Sequence, residues 1–599
     1  MLRAQFIFLL VLASPLITYA QLPTGTFLGV VKDASGAVVP GATLTARNLE
    51  TGLTRTTVSG SDGEYRFAAL PVGSYELRAE QTGFGPEVHS GLTLAVSQEA
   101  VINFALQVGT VQSTVSVTTE APIVNTTSGS LGALVDEQEV ADLPLNGRNY
   151  IDLTLMQPGI NDSRTTGGTM QYSGTWFSSN GAPVRSNNYM LDGAILSSVG
   201  GVSTASVSGQ SLGVEGIREY RVMTNSFSAE YGLLMGSQMM IVSKGGTNQF
   251  HGSLFEYVRN SALDARNFFD YTYLQGGQRI AQFQRNNFGA SLGGPIQKEK
   301  TFFFATVEAV RERKGVPVLS TTLPATAKVN GGAGGVPVIN SAVVPFLQFF
   351  PNPTPGLSNN QFAFTFIQPA NEVYSQYRLD QAFSASDTAF FRYTVDNGNK
   401  TQVSAFPGFT DIGGTGNQYG TLSESHVFST RVVNTGQLSY SRPNLKINPG
   451  YPDLITNPQY EFINGQAMGQ ISVSGLSTVG PDSTYPRQFK QDLYTFSDDV
   501  FFTQGKSAWK FGTLINHFRQ YMQQSFDRGG VANFANISSF LLGQASSIVQ
   551  PSSGSLTDKT FAFYTLGFYI QNDLKVRSNL TLNLGLRYEF QTDMIVRME

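Results

Sequence analysis

From Leu580 to Phe590 the chain alternates without a break. Leu580, Leu582, Leu584, Leu586, Tyr588 and Phe590 are apolar, while Thr581, Asn583, Gly585, Arg587 and Glu589 between them are small or polar. Successive side chains of a β-strand point to opposite faces, so this stretch makes a strand of about ten residues with one apolar and one wet face, as a membrane-spanning barrel requires. Tyr564, Leu566, Phe568 and Ile570 repeat the pattern, as do Ala389, Phe391, Tyr393 and Val395. A soluble sandwich alternates too. The length of these strands and the polarity of their second face favour the barrel, and Tyr and Phe at strand ends suit an interfacial girdle.

The rest of the sequence agrees with a mostly β protein of two to four domains. Its 599 residues include 62 Gly, 43 Phe and 24 Tyr but only 14% charged residues. That mixture suits many strands joined by turns. A net charge of −4 without a Lys/Arg cluster offers no field for nucleic acid. The chain has no cysteine, which excludes disulfides, thiolate metal sites and thiol nucleophiles.

The first residues read as an export signal. Arg3 precedes the apolar run Phe6 to Leu12, Pro15 breaks it, and Thr18-Tyr19-Ala20 places small residues where cleavage would leave Gln21 as the new N-terminus. The run is short of the ~20 residues needed to cross a bilayer as a helix, and no later stretch reaches that length. A membrane-spanning reading of this chain therefore rests on strands, because only helices and closed barrels satisfy the backbone in lipid.

Residues 21–108 read as a β-sandwich of about seven short strands, with Phe27 to Lys32, Thr43 to Arg47, Tyr65 to Phe67 and Tyr75 to Ala79 among them. The strings Gly29-Val30-Val31-Lys32-Asp33-Ala34-Ser35-Gly36, Asp62-Gly63-Glu64-Tyr65-Arg66-Phe67 and Leu70-Pro71-Val72-Gly73-Ser74-Tyr75 resemble the carboxypeptidase regulatory-like domain. That resemblance implies a structural accessory and not a peptidase. His89 stands here without a metal-ligand partner set.

Residues 109–127 form a linker containing Thr114-Val115-Ser116-Val117-Thr118, an extended segment able to add to another sheet. It resembles a TonB box, which implies a TonB-type energy-transducing partner in the periplasm. The same residues also suit a terminal strand of the sandwich or a spacer.

Residues 128–246 contain short fragments bounded by Gly and Asn turns. A short helix is expected at the start, between Leu131 and Leu143, with Asp136, Glu137 and Glu139 outward. The ordered strings Asp142-Leu143-Pro144-Leu145-Asn146-Gly147-Arg148-Asn149-Tyr150, Asn187-Asn188-Tyr189-Met190-Leu191-Asp192-Gly193 and Ile217-Arg218-Glu219-Tyr220-Arg221-Val222 resemble the plug of TonB-dependent receptors, in the Oar-like branch. The family plug is a small α/β domain that fills a barrel lumen. Arg148, Asp192, Arg218, Glu219 and Arg221 are then candidates for releasable polar contacts between plug and barrel, or alternatively ordinary solvated groups.

From residue 247 onward Lys244-Gly245-Gly246-Thr247-Asn248-Gln249-Phe250-His251-Gly252-Ser253 leads into Arg285-Asn286-Asn287-Phe288-Gly289-Ala290-Ser291-Leu292-Gly293-Gly294-Pro295 and Lys300-Thr301-Phe302-Phe303-Phe304. This series looks like the first barrel strands of Oar-like receptors. The stretches Gly315 to Asn359 and Pro443 to Tyr485 read as long extracellular loops. Residues 247–599 leave room for about a dozen strands, against ~22 in barrels of this class, so the expectation is an incomplete transmembrane antiparallel barrel, from a truncated copy.

No enzyme is expected. Gly209-Gln210-Ser211-Leu212-Gly213 and Gly289-Ala290-Ser291-Leu292-Gly293 match a nucleophile elbow in letters but lack its strand–turn–helix setting. His251, His426 and His517 are far apart in sequence, so neither metal nor cofactor is expected. The functional expectation is a receptor that takes up an unidentified external substrate across outer-membrane lipid. An outer-membrane adhesion or assembly protein anchored by the same barrel is the alternative.

Overall fold

The computed structural model describes residues 24–109, 115–118, 129–266 and 279–598, apart from 144, 146, 164–173, 199–205, 210, 578 and 579. The export signal with Ala20 and Gln21, and Thr114 of the linker, lie outside the described residues.

The N-terminal sandwich is built from β1 (Thr24–Asp33), β2 (Thr43–Asn48), β3 (Thr54–Val58), β4 (Glu64–Pro71), β5 (Gly73–Glu80), β6 (Glu87–Leu94), β7 (Glu99–Val101), β8 (Phe104–Leu106) and β9 (Val115–Thr118). One sheet runs β4-β1-β7 with β8 also on β1, and the other runs β3-β2-β5-β6-β9. Alternate residues turn inward, and Phe27, Leu44, Tyr75, Leu77 and Phe104 fill the core between the sheets. Among the described residues eight strands stand within residues 21–108, where about seven are expected, and the ninth, β9, comes from the expected linker. β7 and β8 are three-residue pieces, both parallel to β1, and between them the Asn103 side chain accepts a hydrogen bond from the Val30 amide at 3.0 Å. β9 is most of the candidate coupling segment, paired in parallel with β6 from Glu87↔Val115 to Ser90↔Thr118.

The central unit holds β10 (Leu131–Val135), α1 (Glu137–Asp142), β11 (Ile160–Asp162), β12 (Phe177–Ser179), β13 (Asn188–Leu191), β14 (Ala194–Ile195), β15 (Ile217–Asn225) and β16 (Gln238–Ser243). Its main sheet has the order β10-β15-β16-β13-β14. The expected helix starts later than its first residues. Leu131–Val135 is a strand antiparallel to β15, and the helix begins only after Asp136, whose side chain accepts from the Glu139 amide while Glu139 reaches back to the Asp136 amide. This reciprocal capping box satisfies two otherwise unpaired donors and sets the start of the helix.

The wall and its outer loops comprise β17 (His251–Asn260), β18 (Phe283–Gln297), β19 (Thr301–Thr321), β20 (Gln361–Ser384), β21 (Asp387–Val403), β22 (Thr410–Ser429), β23 (Val432–Arg442), β24 (Asn444–Gly450), β25 (Gln470–Val473), β26 (Arg487–Gln504), β27 (Ser507–Gln524), β28 (Val531–Phe534), α2 (Ile537–Leu541), β29 (Ser547–Val549), β30 (Asp558–Arg577), β31 (Leu580–Gln591) and β32 (Ile595–Met598). The long strands form one antiparallel sheet in the order β17-β18-β19-β20-β21-β22-β23-β26-β27-β30-β31, with β24 on β22 and β26, and β32 on β30. Pro443, which has no amide hydrogen to give the ladder, separates β23 from β24. The sheet is an incomplete barrel: among the described residues β17 and β31 are not paired with each other. Among the described residues no helix is long and apolar enough to cross a membrane.

The dyad repeat appears in the wall as two faces. Phe391, Leu422, Leu438 and Tyr494 are exposed on the outside, while Arg392, Thr421, Gln437 and Thr495 are buried inside. Tight turns close one end of the wall, as at Ser384–Asp387 and Gln504–Ser507, and long connections leave the other. Two expected loops are partly strand. Residues 315–321 continue β19, and Asn444–Gly450 is β24, because these wall strands run well past the ~9–11 residues that a bilayer needs. What remains of the loops folds into a cap. Leu323, Phe350, Phe406, Ile455, Phe540 and Leu541 share one buried apolar cluster, and β25, β28 and β29 form a small sheet.

Candidate functional site

The central unit sits inside the curved wall, and the sandwich packs beneath it at the tight-turn end. All three meet in one apolar cluster, to which the sandwich gives Val72 and Val96, the central unit Met190, Met223 and Met240, and the wall Leu493, Phe518 and Phe563. Around that cluster the contacts are polar.

The tip of the central unit is the turn between β13 and β14. Leu191 pairs with Ala194, leaving Asp192 and Gly193 as a two-residue loop with φ of 43° and 79°. Both positions need positive φ, and Asp-Gly is among the few pairs that adopt it readily in a hairpin. A Cβ at Gly193 would also stand 2.0 Å from Gln437 Nε2 of the wall, so a larger residue would displace that side-chain amide from the tip. The Asp192 carboxylate is fully buried. It accepts from the Ser243 amide at 3.0 Å and hydroxyl at 2.6 Å, and pairs with Arg392 Nε at 2.8 Å and Arg378 at 3.8 Å. Arg392 also donates to the Leu191 carbonyl at 2.8 Å, and Gln437 donates to the Asp192 carbonyl at 3.0 Å. One hairpin tip is thus held by β20, β21 and β23.

A second polar patch lies around Arg148. Its guanidinium pairs with Glu215 at 2.9 Å, approaches Glu308 of β19 at 3.9 Å, and stacks over Phe255 and Tyr257 at 4.4 and 4.6 Å from the ring centres. Glu215 also accepts from the Ser253 hydroxyl of β17 at 2.7 Å, and Glu308 accepts from the Gly213 amide at 2.9 Å. A third patch joins Glu230 to Lys510, which also reaches Asp499 at 3.3 Å, and Arg587 donates to the Glu230 carbonyl at 3.0 Å.

Arg218, Glu219 and Arg221 turn the other way. They lie on β15 and face the sandwich, whereas Arg148 and Asp192 sit on turns that reach the wall. Arg218 grips Glu50 through two hydrogen bonds of 2.7 and 2.6 Å. Glu219 accepts from the Val96 amide at 2.5 Å, and Arg221 donates to the Ser97 carbonyl at 2.9 Å. Burial tends to raise Glu50, but the hydrogen bond and charge of Arg218 outweigh it and hold the carboxyl below its ordinary range. Glu219 has only an amide donor and more distant cations, so burial pushes it up to about 7. The five candidates therefore divide between two interfaces, which spacing could not show because Arg148 and Arg218 meet partners far away in sequence.

Arg392, Arg378, Glu308 and Glu50 were not singled out from the sequence. Arg392 had a legible signal in its place on the polar face of β21 with Thr394 and Asp396, but nothing in the sequence points to Asp192 as its partner. His426 similarly gains neighbours across the sheet. Asp387 lies opposite it and Glu424 beside it, with one ligand-type atom of each within 4.8 Å of the others.

Comparison with known proteins agrees with this architecture. A family model described as outer membrane beta barrel domain matches residues 242–597, and one for the carboxypeptidase regulatory-like domain matches residues 26–107. The TonB-dependent transporter Oar of Myxococcus xanthus is 27% identical over 296 residues, covering 47% of this chain and 26% of Oar. The outer membrane transporter YddB from Escherichia coli superposes with a TM-score of 0.51 at 11% identity, covering 78% of this chain and 57% of that one. The siderophore receptor PirA from Acinetobacter baumannii gives 0.46 at 12% identity, covering 79% and 58%. The chain thus spans about a quarter of Oar and little more than half of either solved structure. By the barrel match over most of its length, the chain belongs to the outer-membrane β-barrel family, as a homologue of the TonB-dependent transporter Oar that carries a carboxypeptidase regulatory-like domain.

Proposed function

We propose that this protein acts as a TonB-dependent receptor and transporter, with the central unit as its plug and the sandwich on the periplasmic side. An external substrate of unidentified chemistry binds at the cap and the plug. A TonB-type partner engages Thr114, Val115, Ser116, Val117 and Thr118, and the plug shifts to open the lumen. The observation that carries this reading is the Asp192 tip, buried in the wall by ionic and hydrogen-bonded contacts around Arg392.

The chemistry of that interface suits release. Apolar burial is lost at about 25 cal/mol per Å² on exposure, whereas polar groups entering a wet lumen regain hydrogen bonds to water. A buried ion pair gives little net stability because desolvation offsets its Coulomb attraction. Ligand binding alone shifts the plug only by its differential affinity for the two states, so external work at the coupling strand is part of the mechanism. In the resting chain β9 is paired with β6, and the partner would have to take it from that edge.

Replacing Thr114–Thr118 by a Gly/Ser segment in the intact gene tests this. The expected result is that cells still bind substrate while energy-dependent uptake stops, screened across siderophores, glycans and peptides. Unchanged uptake would overturn the reading and leave the barrel as a surface anchor.

A further inference from the structure

Among the described residues, no side chain neutralises one cation of the sandwich. Arg55 on β3 is 7% exposed. Its guanidinium reaches only the Ala68 carbonyl at 3.5 Å and the Ser425 hydroxyl at 3.4 Å, both long, and its Nε is buried without a hydrogen-bond partner. It forms no ion pair with the described carboxylates, and burial pulls its pKa down with only Tyr75 acting the other way. A buried charge is costly unless it is paired.

Arg55 lines a cavity of about 160 Å³ where sandwich, central unit and wall meet. Two other guanidiniums line it, and each has its carboxylate: Arg218 holds Glu50, and Arg378 holds Asp380 at 2.7 Å; the remaining carboxylate of the lining, Glu299, is exposed and, among the described residues, forms no ion pair with Arg55. Arg55 is the one left over. Opposite it the wall presents Thr388, Ser423 and Ser425, and the sandwich adds Asn48. The volume is several times the ~30 Å³ of a water molecule. A guanidinium is a planar fork matched to two oxygens of a carboxylate or phosphate.

We propose that this cavity binds a small oxyanion of the carboxylate or phosphate class, with Arg55 as its counter-charge and hydroxyls of the wall as further donors. The anion bridges β3 of the sandwich to β21 and β22, so its binding fastens the sandwich to the barrel. This site is independent of the coupling strand, and it stands or falls separately from transport.

The test uses the full chain in detergent micelles, titrated calorimetrically with inorganic phosphate and, separately, with acetate at constant pH and ionic strength. Saturable binding of one equivalent is expected for at least one of them, with a matching rise in thermal midpoint that chloride does not reproduce. Arg55→Gln should weaken it at least about tenfold, the scale of a hydrogen bond to a charged group. Arg55→Lys should retain part of the affinity. Ser425→Ala, which keeps the charge and covers the case in which Arg55→Gln fails to fold, should weaken binding about threefold. No saturable binding of either anion would mean that water alone fills the cavity, and would overturn the proposal. So would unchanged affinity in whichever of Arg55→Gln and Ser425→Ala folds.

Discussion

At the scale of single residues, the pair Asp192 and Arg392 concentrates the physics of the lumen. Both side chains are fully buried, so removing Asp192 leaves Arg392 charged and without an ionic partner among the described residues in a low-dielectric site. Such truncations cost about 3–5 kcal/mol, whereas replacing the whole pair by apolar groups is often near neutral. Asp192→Ala is therefore expected to lower stability by about 3–5 kcal/mol in denaturant unfolding, and Asp192→Ala combined with Arg392→Met to recover more than half of the loss. A double variant no better than the single one would show that the hydrogen bonds around Leu191 and Gln437, and not the charges, hold the tip. The turn itself was legible in the letters Asp192-Gly193, since few other pairs take two positive φ angles. Its insertion into the wall was not, because Gln437 and Arg392 lie some two hundred positions further along the chain.

At the scale of elements, alternation identified the wall strands, and it went wrong where strands outran the membrane. Residues 315–321 and Asn444–Gly450 read as loops from their Gly, Pro and Asn content, yet they pair as strands with β20 and with β22. The extended strands give the outer loops a base on which to pack, and those loops form their own core around Phe350, Phe406 and Phe540. Phe540 is 1% exposed, with ring centres of Phe350 and Phe534 at 5.4 and 5.2 Å. Phe540→Ala should cost about 3–5 kcal/mol within the cap. Hydrogen exchange is expected to quicken at Gln470–Val473 and Val531–Phe534 while β20–β22 keep their protection. Equal loosening of the wall would mean that cap and barrel unfold as one unit. The error at the start of the central unit is of another kind. The Asp136-x-x-Glu139 capping box was present in the sequence, and it marks where the helix begins and so where the preceding strand must end.

At the scale of the whole molecule, docking of the sandwich is expected to depend on pH through Glu219. Its folded value of about 7 lies above its ordinary 4.5, so the protonated form is the one that the docked state favours. The contribution is full below about 4.5 and is lost as the pH rises through 7. Glu50 is held below and Arg218 above its usual range, so that pair stays charged throughout. Arg221 and Arg218 pull Glu219 down and Asp136 pushes it up, but burial dominates. Glu219→Gln keeps an acceptor for the Val96 amide without the charge. Its advantage in thermal stability over the wild type should be near zero at pH 4 and grow to the order of 1–3 kcal/mol above pH 8; a difference independent of pH would show that Glu219 does not titrate in this window.

The sequence by itself determined the local features: which residues make strands, which face of each is apolar, where Asp-Gly turns and capping boxes fall, and which family motifs stand in order. These depend on neighbours within a few positions, where periodicity and turn chemistry act. Only the tertiary structure decided that Arg148 and Asp192 meet the wall while Arg218, Glu219 and Arg221 meet the sandwich, and that Arg55 is buried without an ion-pair partner among the described residues. It also showed that β17 and β31 remain unpaired with each other among the described residues. Those outcomes depend on which distant groups share a low-dielectric space, and the pattern along one strand carries no record of what lies across the lumen.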